Sequence, residues 1–190
     1  MATKNKQLSV YQLKVTLKGS KPPIWRELLV PSNLTLKHLH DVLQVAMGWE
    51  HRHLHHFGLG ESYYGNTDPD FGLGDDVEDE RYFTVSQLLT REKAAMIYEY
   101  DFGDGWEHKI ELKKILPADG KAQQARCIKG ARACPPEDCG GIWGYADLLD
   151  IIKNPEHPER EEMLDWLGDD FDPEYFDIDA VNGSLEKFFR

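Results

Sequence analysis

The chain has few cysteines and no long hydrophobic segment, and both features limit what the protein can be. No run of residues approaches the ~20 apolar residues of a membrane-spanning helix. The first seven residues contain no apolar segment of the kind that secretory signals require. Only three of the 190 residues are cysteines, an odd number that does not suit a secreted disulfide framework. We therefore expect a cytoplasmic protein that does not associate with membranes.

Several common catalytic and nucleotide-binding motifs are also missing from the sequence. It contains no Walker-type loop, no dinucleotide-binding fingerprint and no internal repeat. No Gly-x-Ser-x-Gly motif occurs, and the serines are in ordinary turn, cap or helix positions. The sequence therefore gives little support to a Ser–His–Asp hydrolase.

The net charge of −12 disfavours non-specific attraction to nucleic acid or to anionic lipid. The charge is uneven, because seven basic residues lie between Lys109 and Arg132, and acidic segments at Asp68–Glu80 and Glu156–Asp179 flank them. The basic segment is either an ordinary solvated surface or a loop that docks onto an anionic partner. We do not expect nucleic acid as the partner, because of the overall charge and the lack of a helix-turn-helix or RNP-like motif.

Hydrophobic periodicity predicts strands in the first two-thirds of the chain and helices in the last third. Apolar residues alternate over 11–17 and 24–30, which indicates two half-buried strands, the second with Arg26 on its apolar face. Thr35 and Gly48 bound a predicted helix over 36–47. Apolar residues at helical spacing predict three more helices at 145–152, 158–167 and 178–188.

This segregation predicts an α+β fold, with a curved, partly barrel-like antiparallel sheet, covering helices and a helical C-terminal third. We expect a flexible tail over residues 1–8 and a single domain over 9–190. Within that domain, 9–116 is predicted to be rich in strands, 117–142 to be a basic loop that contains the cysteines, and 143–190 to be helical.

Asp104-Gly105 is a strong hairpin signal between the predicted strands Met96–Phe102 and Trp106–Leu116. A two-residue turn at this position places Asp101 directly opposite His108. The second strand alternates so that its inner face carries Trp106, His108, Ile110 and Leu112. The sequence therefore predicts a hydrogen-bonded pair of Asp101 and His108, with the pKa of His108 above about 6.5 unless burial offsets the effect.

Histidines are concentrated at 51–56, which we interpret as part of a strand that continues to Phe57. His53 and His55 would then share a face about 7 Å apart, a separation that suits one metal ion if a third ligand joins them. Asp101 or His108 is the candidate third ligand. The alternative is that these histidines are buried polar residues held by Arg26, Asp101 or backbone carbonyls.

The three cysteines are a weaker candidate metal site. Cys134 and Cys139 are separated by four residues and Cys127 lies upstream, so together with a histidine they could hold a structural zinc ion. The alternatives are reduced, partly buried thiols in a loop stiffened by proline, or a redox or nucleophilic role. Carboxylates are also dense over 169–179, but they lack the EF-hand pattern and are better explained by helix entry at Asp177.

The segment Tyr98–His108 reads Tyr-Glu-Tyr-Asp-Phe-Gly-Asp-Gly-Trp-Glu-His and resembles the hallmark of the plasmid ORF-3-like family, named for an open reading frame of an Ri plasmid. The resemblance extends to Pro22–Arg26, to Gly48-Trp49 with His53–His55, to Cys134–Gly141 and to Asp172–Glu174. Some members of the family are described as passenger proteins of insertion elements. The resemblance implies a shared fold and an association with mobile elements, but no particular reaction.

These observations predict a non-enzymatic binding or adaptor domain that receives a small ligand or a peptide. The first alternative is a metal-dependent hydrolase or nuclease that uses the histidines with Asp101 or Asp104, and the second is a DNA-binding accessory protein. The predicted pocket residues are Arg26, Trp49, His53, His55, Tyr100, Asp101, Asp104, Trp106 and His108.

Overall fold

One eight-stranded sheet runs through the protein in the order β5-β4-β3-β6-β7-β1-β2-β8. The computed structural model describes residues 9–70, 72–118, 124–168 and 171–189. The predicted tail, residues 1–8, lies outside the described residues. The strands are β1 (Ser9–Leu17), β2 (Trp25–Pro31), β3 (His55–Leu59), β4 (Ser62–Gly65), β5 (Glu78–Asp79), β6 (Ala95–Tyr100), β7 (Trp106–Pro117) and β8 (Arg126–Ala131).

The sheet is mixed and open. All neighbouring strands are antiparallel except β4 and β5, which pair in parallel. The two end strands of the order, β5 and β8, do not pair with each other. The α+β class is confirmed, whereas the prediction of a partly barrel-like sheet is wrong in that the sheet does not close.

Five helices accompany the sheet in the described part of the chain. They are α1 (Leu36–Met47), α2 (Val85–Leu88), α3 (Gly141–Lys153), α4 (Arg160–Leu167) and α5 (Ile178–Phe188), with short 3₁₀ turns at Gly74–Asp76 and Glu80–Tyr82. The segments 154–159 and 171–177 between the last three helices are not helical. The last part of the chain is therefore a set of separate helices and connecting segments.

The predicted boundaries of α1 are confirmed, because local chemistry determines both ends. The Thr35 hydroxyl accepts from the backbone N–H of His38, and Gly48 adopts the left-handed conformation with φ 89°. Leu39 and Leu43 on the buried side of α1 join the same hydrophobic core as Leu13 in the centre of the sheet. Burial of each such leucine contributes roughly 1.5–3 kcal/mol.

The sequence predicts a loop over 117–142, whereas β8 lies inside this segment. β8 pairs with β2, so that Cys127 lies opposite Leu28, and an irregularity in register follows at Glu27/Leu28. Its residues show no clean alternation of polar and apolar types. Pairing with an existing edge strand, rather than local preference, therefore creates this strand.

The predicted hairpin exists, but its turn is different. The connection uses residues 101–105, and Tyr100 pairs with Trp106. Asp101 adopts a left-handed conformation with φ 57°, and its Oδ1 accepts from the backbone N–H of Gly103 at 2.9 Å. Its carbonyl accepts from the N–H of Gly105 at 2.6 Å. The prediction of a two-residue turn is wrong, because the polar side chain of Asp101 starts the turn early.

The correct register changes the partner of His108 but not its face. Tyr98, not Asp101, is paired with His108. Trp106, His108 and Ile110 are all buried, as predicted for the inner face. The predicted pair of Asp101 and His108 is therefore wrong, although the orientation of β7 is confirmed.

The predicted strand over 51–57 begins only at His55. Residues 51–54 form an irregular link from α1 to β3, and His51 adopts φ 57°. No helix in the described part of the chain has the length and apolar character needed to cross a membrane.

Candidate functional site

The link between α1 and β3 is fixed against two other segments. The indole Nε1 of Trp49 donates to the carbonyl of Pro135 at 3.0 Å, and the backbone N–H of Arg52 donates to the Tyr100 hydroxyl at 3.0 Å. The same hydroxyl donates to Glu137 at 2.7 Å. These bonds attach 49–54 both to the end of β6 and to the segment 134–141. The position of His53, between Arg52 and β3, follows from them.

Two of the motifs singled out in the sequence lie side by side. Asp104 in the hairpin turn accepts from the backbone N–H of Gly140 at 3.2 Å. A Cβ atom on Gly141 would lie 2.3 Å from the Asp104 carbonyl oxygen, so the close approach of the two segments requires glycine there. The turn 101–105 and the segment 134–141 thus form one surface, on which Asp138 lies near Asp101.

Asp101 and Asp138 both face His53, and we call these three residues the His53 centre. Nε2 of His53 lies 3.3 Å from Oδ1 of Asp138 and 3.7 Å from Oδ2 of Asp101. This nitrogen is buried and has no hydrogen-bond partner among the described residues. Both aspartates have positive φ, 57° and 59°. Two strained backbone positions therefore hold carboxylates in front of one unpartnered nitrogen.

The spacing within the His53 centre suits a metal ion. The three ligand atoms lie within 4.8 Å of one another. Ligands at the usual zinc–nitrogen and zinc–oxygen distances are about 3.4 Å apart in a tetrahedron, close to the two separations seen here. Oδ1 of Asp101 is already occupied by backbone N–H groups of the turn, which leaves Oδ2 directed at His53. One imidazole with two carboxylates suits divalent transition metals.

Four histidines line a neighbouring cleft of about 440 Å³, which we call the histidine cleft. Glu80 and Asp79 also line it. The histidines are His40, His51, His53 and His55. His40 and His55 stack with ring centroids 3.5 Å apart, and Nε2 of His55 lies 2.8 Å from a carboxylate oxygen of the buried Glu80. The sequence predicts His53 and His55 as site residues, but not His40 and Glu80, the two partners of His55.

A chain of hydrogen bonds below this cleft fixes the proton positions on two of the histidines. Gln44 accepts from the backbone N–H of His51 through Oε1, so its Nε2 donates to the Tyr98 hydroxyl at 2.9 Å. The fully buried hydroxyl therefore uses its own proton to donate to Nδ1 of His40 at 2.8 Å. It follows that His40 carries its proton on Nε2 and donates to Nδ1 of His51 at 3.2 Å.

This chain argues against a metal ion at the second group of possible ligands, His40, Asp41 and His51. The His40 nitrogen that faces His51 carries a proton, and Lys37 lies 2.6 Å from the Asp41 carboxylate. Burial lowers the pKa of both His40 and His51, so both rings stay neutral. A metal ion here would have to remove the proton that links them.

Arg26 is structural rather than a pocket residue. Its side chain is buried and donates to four backbone carbonyls, those of Trp25, Ala46, Ala131 and Arg132, at 2.9–3.0 Å. It thereby connects β2, the end of α1 and the end of β8. An arginine on the apolar face of a strand needs buried acceptors, and here backbone carbonyls supply them.

The predicted aromatic pocket residues form a stack in the interior. The ring of Trp49 stacks on Tyr100 at 5.1 Å and lies 5.9 Å from Trp106 and 5.2 Å from His108. Tyr100, Trp106 and His108 have at most 1% of their surface exposed. Trp49, by contrast, also lines a cleft of about 570 Å³ with Glu137 and Asp138. The stack therefore supports the site from below.

His108 is a fully buried histidine, and no carboxylate in the described part of the chain faces it. Neither of its ring nitrogens has a hydrogen-bond partner of normal geometry among the described residues. Burial lowers its pKa to about 4, although the nearby backbone of Tyr98 and Trp106 raises the pKa in part, and the positive charge of Arg26 lowers it slightly. The pKa of His108 does not rise, because burial outweighs other effects, as the prediction allowed, and because no carboxylate among the described residues faces the ring.

His108 makes no contribution to the His53 centre, whereas Asp101, the other predicted third ligand, does. Asp138 takes the place predicted for His55, which is paired with Glu80 instead.

The three cysteines are free thiols. No group of three possible ligands with atoms within 4.8 Å contains a cysteine in the described part of the chain. Burial raises the pKa of Cys134 and of Cys139 to about 12, so both are protonated at neutral pH. Zinc at the cysteines stays a prediction that the geometry does not support.

Comparison with known proteins identifies the family. The plasmid pRiA4b ORF-3-like family matches residues 9–180. The chain belongs to this family. An uncharacterized protein of Sinorhizobium fredii, y4hQ, is 35% identical over 179 residues, which cover 94% of this chain and 91% of that protein. The crystal structure of MM3350, a protein of unknown function from Methanosarcina mazei, has a TM-score of 0.83 and 41% identity, covering 92% of this chain and 98% of the other.

The family resemblance seen in the sequence is thus confirmed, and its motifs coincide with the His53 centre. The three residues of the centre come from three separate motifs, at 48–55, 98–108 and 134–141. Asp138 was missed as a site residue because its motif was interpreted through its cysteines. The three motifs can be recognised in the sequence, but the sequence does not show that they lie next to one another in the fold.

Proposed function

We propose that this protein is a metal-dependent binding domain. In this proposal the His53 centre holds one divalent transition-metal ion, and a ligand completes the coordination of that ion. One observation carries the proposal: the unpartnered Nε2 of His53 lies 3.3 and 3.7 Å from the carboxylate oxygens of Asp138 and Asp101. A cation between these atoms would neutralise both carboxylates and satisfy the buried nitrogen.

The surroundings of the centre support a binding role. Three protein ligands leave at least one coordination position for a ligand or water. His53 lines the histidine cleft, and Asp138 lines the cleft beside Trp49, so the centre lies between two concave surfaces. The Trp49 cleft has acidic and aromatic walls, which include Glu137 and Trp166. A ligand with a metal-binding group and an apolar or cationic part fits such walls.

A second candidate function is metal-dependent hydrolysis. The observation in its favour is the ligand set itself, because one histidine and two carboxylates with an open position resemble centres that activate water. A nuclease or esterase activity would require the metal ion at the His53 centre. Binding without turnover is the primary proposal, because His53, Asp101 and Asp138 all serve as metal ligands in it and none of them is left to act as a general acid or base.

The experiment is a metal titration on protein purified without a histidine tag and stripped with a chelator. Calorimetry with Zn²⁺ and with Mn²⁺ should show one site per chain for at least one of the two ions. Asp101→Asn should weaken that site by at least about 100-fold, since even changes around metal ligands cost 10–100-fold. The asparagine oxygen can still accept from the N–H groups of Gly103 and Asp104, so the turn should persist.

Two control variants separate this site from other ligands in the chain. His157→Ala removes a histidine that accepts only a local backbone bond from Glu159, and it should leave metal affinity unchanged. Cys134→Ser tests the zinc prediction at the cysteines, and it should also have no effect. Absence of binding, or binding that survives both His53→Ala and Asp101→Asn, would refute the proposal. Metal-stimulated cleavage of bis(p-nitrophenyl) phosphate would favour the hydrolase instead.

The association with mobile elements, and any adaptor role in them, rests on the family resemblance alone. We propose that the protein acts in the cell together with the products of a mobile element. Co-purification of the metal-loaded protein with proteins encoded by the mobile element that carries its gene would support this role. Asp101→Asn is the control and should not co-purify.

A further inference from the structure

A groove of about 350 Å³ lies between α3 and α4, and we call it the α3–α4 groove. Leu148 and Ile151 line it from α3, and Met163 and Trp166 line it from α4. The volume is near the lower end of the range for small-molecule sites, about 300–1,000 Å³. A ligand with a single aromatic ring and a short chain therefore fits the groove.

The apolar side of α4 stays partly exposed. Four of the eight residues of this helix are apolar, yet none of the eight is buried. Trp166 in particular is 50% exposed. An exposed apolar surface beside a concave groove is typical of a binding site.

The charges at the groove are all of one sign. Among the described residues, every charged group that lines it is a carboxylate, namely Asp138, Asp147 and Glu162. All three residues are exposed, so a ligand can reach them. Cys139 also lines the groove, but burial and the charge of Asp104 raise the pKa of this thiol to about 12, so it is neutral. The groove therefore attracts cations and repels anions.

The chain around the groove has the same sign of charge. Residues 138–167 contain eight acidic residues and only two basic ones, Lys153 and Arg160. Neither of these two lines the groove, and Arg160 donates to the carbonyl of Ile152 at 3.0 Å. A cationic ligand thus meets no competing positive charge in the part of the groove that the structure describes.

We propose that the α3–α4 groove binds a small organic ammonium ion with an aromatic or other apolar body. The body packs against the apolar side chains of the groove, and the ammonium group lies at the carboxylates of Asp147 and Glu162. The indole ring of Trp166 attracts the same cation, because the face of its π system carries negative charge. A neutral ligand gains the apolar contacts alone, and an anion is repelled.

The groove differs from the His53 centre, although Asp138 belongs to both. Asp147 and Glu162 take no part in that centre, and neither of them lines the Trp49 cleft. The groove can therefore be tested on chelator-treated protein, in which Asp138 holds no metal ion. Failure of the metal proposal leaves this proposal unaffected, and the reverse also holds.

The test is calorimetric titration of the chelator-treated full chain with phenethylamine, a primary amine that is positively charged at neutral pH. The neutral 2-phenylethanol, the anionic 3-phenylpropionate and the short amine ethylamine are the comparisons. Phenethylamine should bind at one site per chain, about tenfold more tightly than each comparison, because exposed ion pairs and a cation–π contact together contribute that factor. Added NaCl should weaken the binding of phenethylamine and leave that of 2-phenylethanol unchanged.

Two variants assign the binding to the groove. Trp166→Ala should weaken phenethylamine binding by roughly tenfold, because it removes apolar contact and the cation–π contact together. Glu162→Gln should weaken it by roughly three-fold, the effect of one exposed ion pair. The second variant should leave the binding of 2-phenylethanol unchanged.

Each variant has a matched control. Glu161→Gln is the control for Glu162→Gln, because both residues lie in the first turn of α4 and Glu161 does not line the groove. Trp143→Ala is the control for Trp166→Ala, because Trp143 is 81% exposed and lies on α3 outside the groove. Both controls should leave phenethylamine affinity unchanged, and far-UV circular dichroism should show that all four variants are folded.

Three results would overturn the proposal. The first is no saturable phenethylamine binding in the millimolar range, or equal affinity for 2-phenylethanol. The second is unchanged phenethylamine affinity in both Trp166→Ala and Glu162→Gln, or equal weakening by Glu161→Gln. The third is self-association of the ligand-free chain that Trp166→Ala abolishes, since it would assign the groove to a second copy of the protein.

Discussion

Tyr98 lies directly opposite His108 across the β6–β7 hairpin, and their rings are 5.6 Å apart. The hydroxyl of Tyr98 points away from this pair, to Gln44 and His40 under the histidine cleft. In the observed register no carboxylate among the described residues faces His108, and Asp101 lies near His53 instead. The hairpin links the interior of the sheet to the proposed metal site.

The turn of this hairpin depends on Gly105, which has φ 65° and space around the position of a Cβ atom. Gly105→Ala should destabilise the protein by about 1 kcal/mol and Gly105→Val by more, because side chains resist the left-handed conformation. Urea unfolding measures both effects. Gly183→Ala, in the interior of α5 with nothing nearby, is the control and should stabilise by about 0.5–1 kcal/mol. Wild-type stability of Gly105→Val would show that the turn has another conformation.

The lowered pKa of the buried His108 predicts that the folded protein loses stability in acid. The unfolded chain binds a proton at this residue near pH 6.5, whereas the folded protein does so only near its lowered pKa of about 4. The unfolded state therefore holds more protons between these values, and stability falls by about 3 kcal/mol as the pH drops from 7 to 4. His40, whose pKa burial also lowers, adds in the same direction.

The measurement that isolates His108 is urea unfolding from pH 7 to pH 4 of the wild type and of His108→Leu. The variant should lose stability less steeply with acid, and at neutral pH its stability should be close to that of the wild type, since it removes two buried nitrogens that form no hydrogen bond of normal geometry. Parallel pH profiles for the two proteins would contradict the lowered pKa.

Arg26 should be among the most sensitive positions for stability. Arg26→Ala leaves buried carbonyls of three elements without a donor, and we expect a loss of at least about 3 kcal/mol in unfolding free energy. Arg26→Lys should recover only part of this loss, because an ammonium group cannot match the fork of the guanidinium. Arg81→Ala, which removes an exposed arginine paired with Asp79, should change stability little. A small effect of Arg26→Ala would mean that water replaces its bonds.

Much of the fold followed from local patterns in the sequence. The ends of α1 depend on Thr35 and Gly48, and the inner face of β7 depends on alternation at Trp106, His108 and Ile110, so each could be predicted from neighbouring residues alone. The capping box formed by Thr84 and Gln87 at the start of α2 is a further feature of this local kind. These elements are specified by side chains that act within a few residues of themselves.

Features that depend on distant partners could not be predicted in this way. β8 exists because β2 offers it an edge, and the hairpin register depends on the bonds of one aspartate in its turn. The sequence alone determined the family and the α+β class, and it pointed to His53 and Asp101 of the proposed centre. Only the tertiary structure decided that His53, Asp101 and Asp138 meet, because their contact depends on packing of segments far apart in the chain, which local periodicity does not encode.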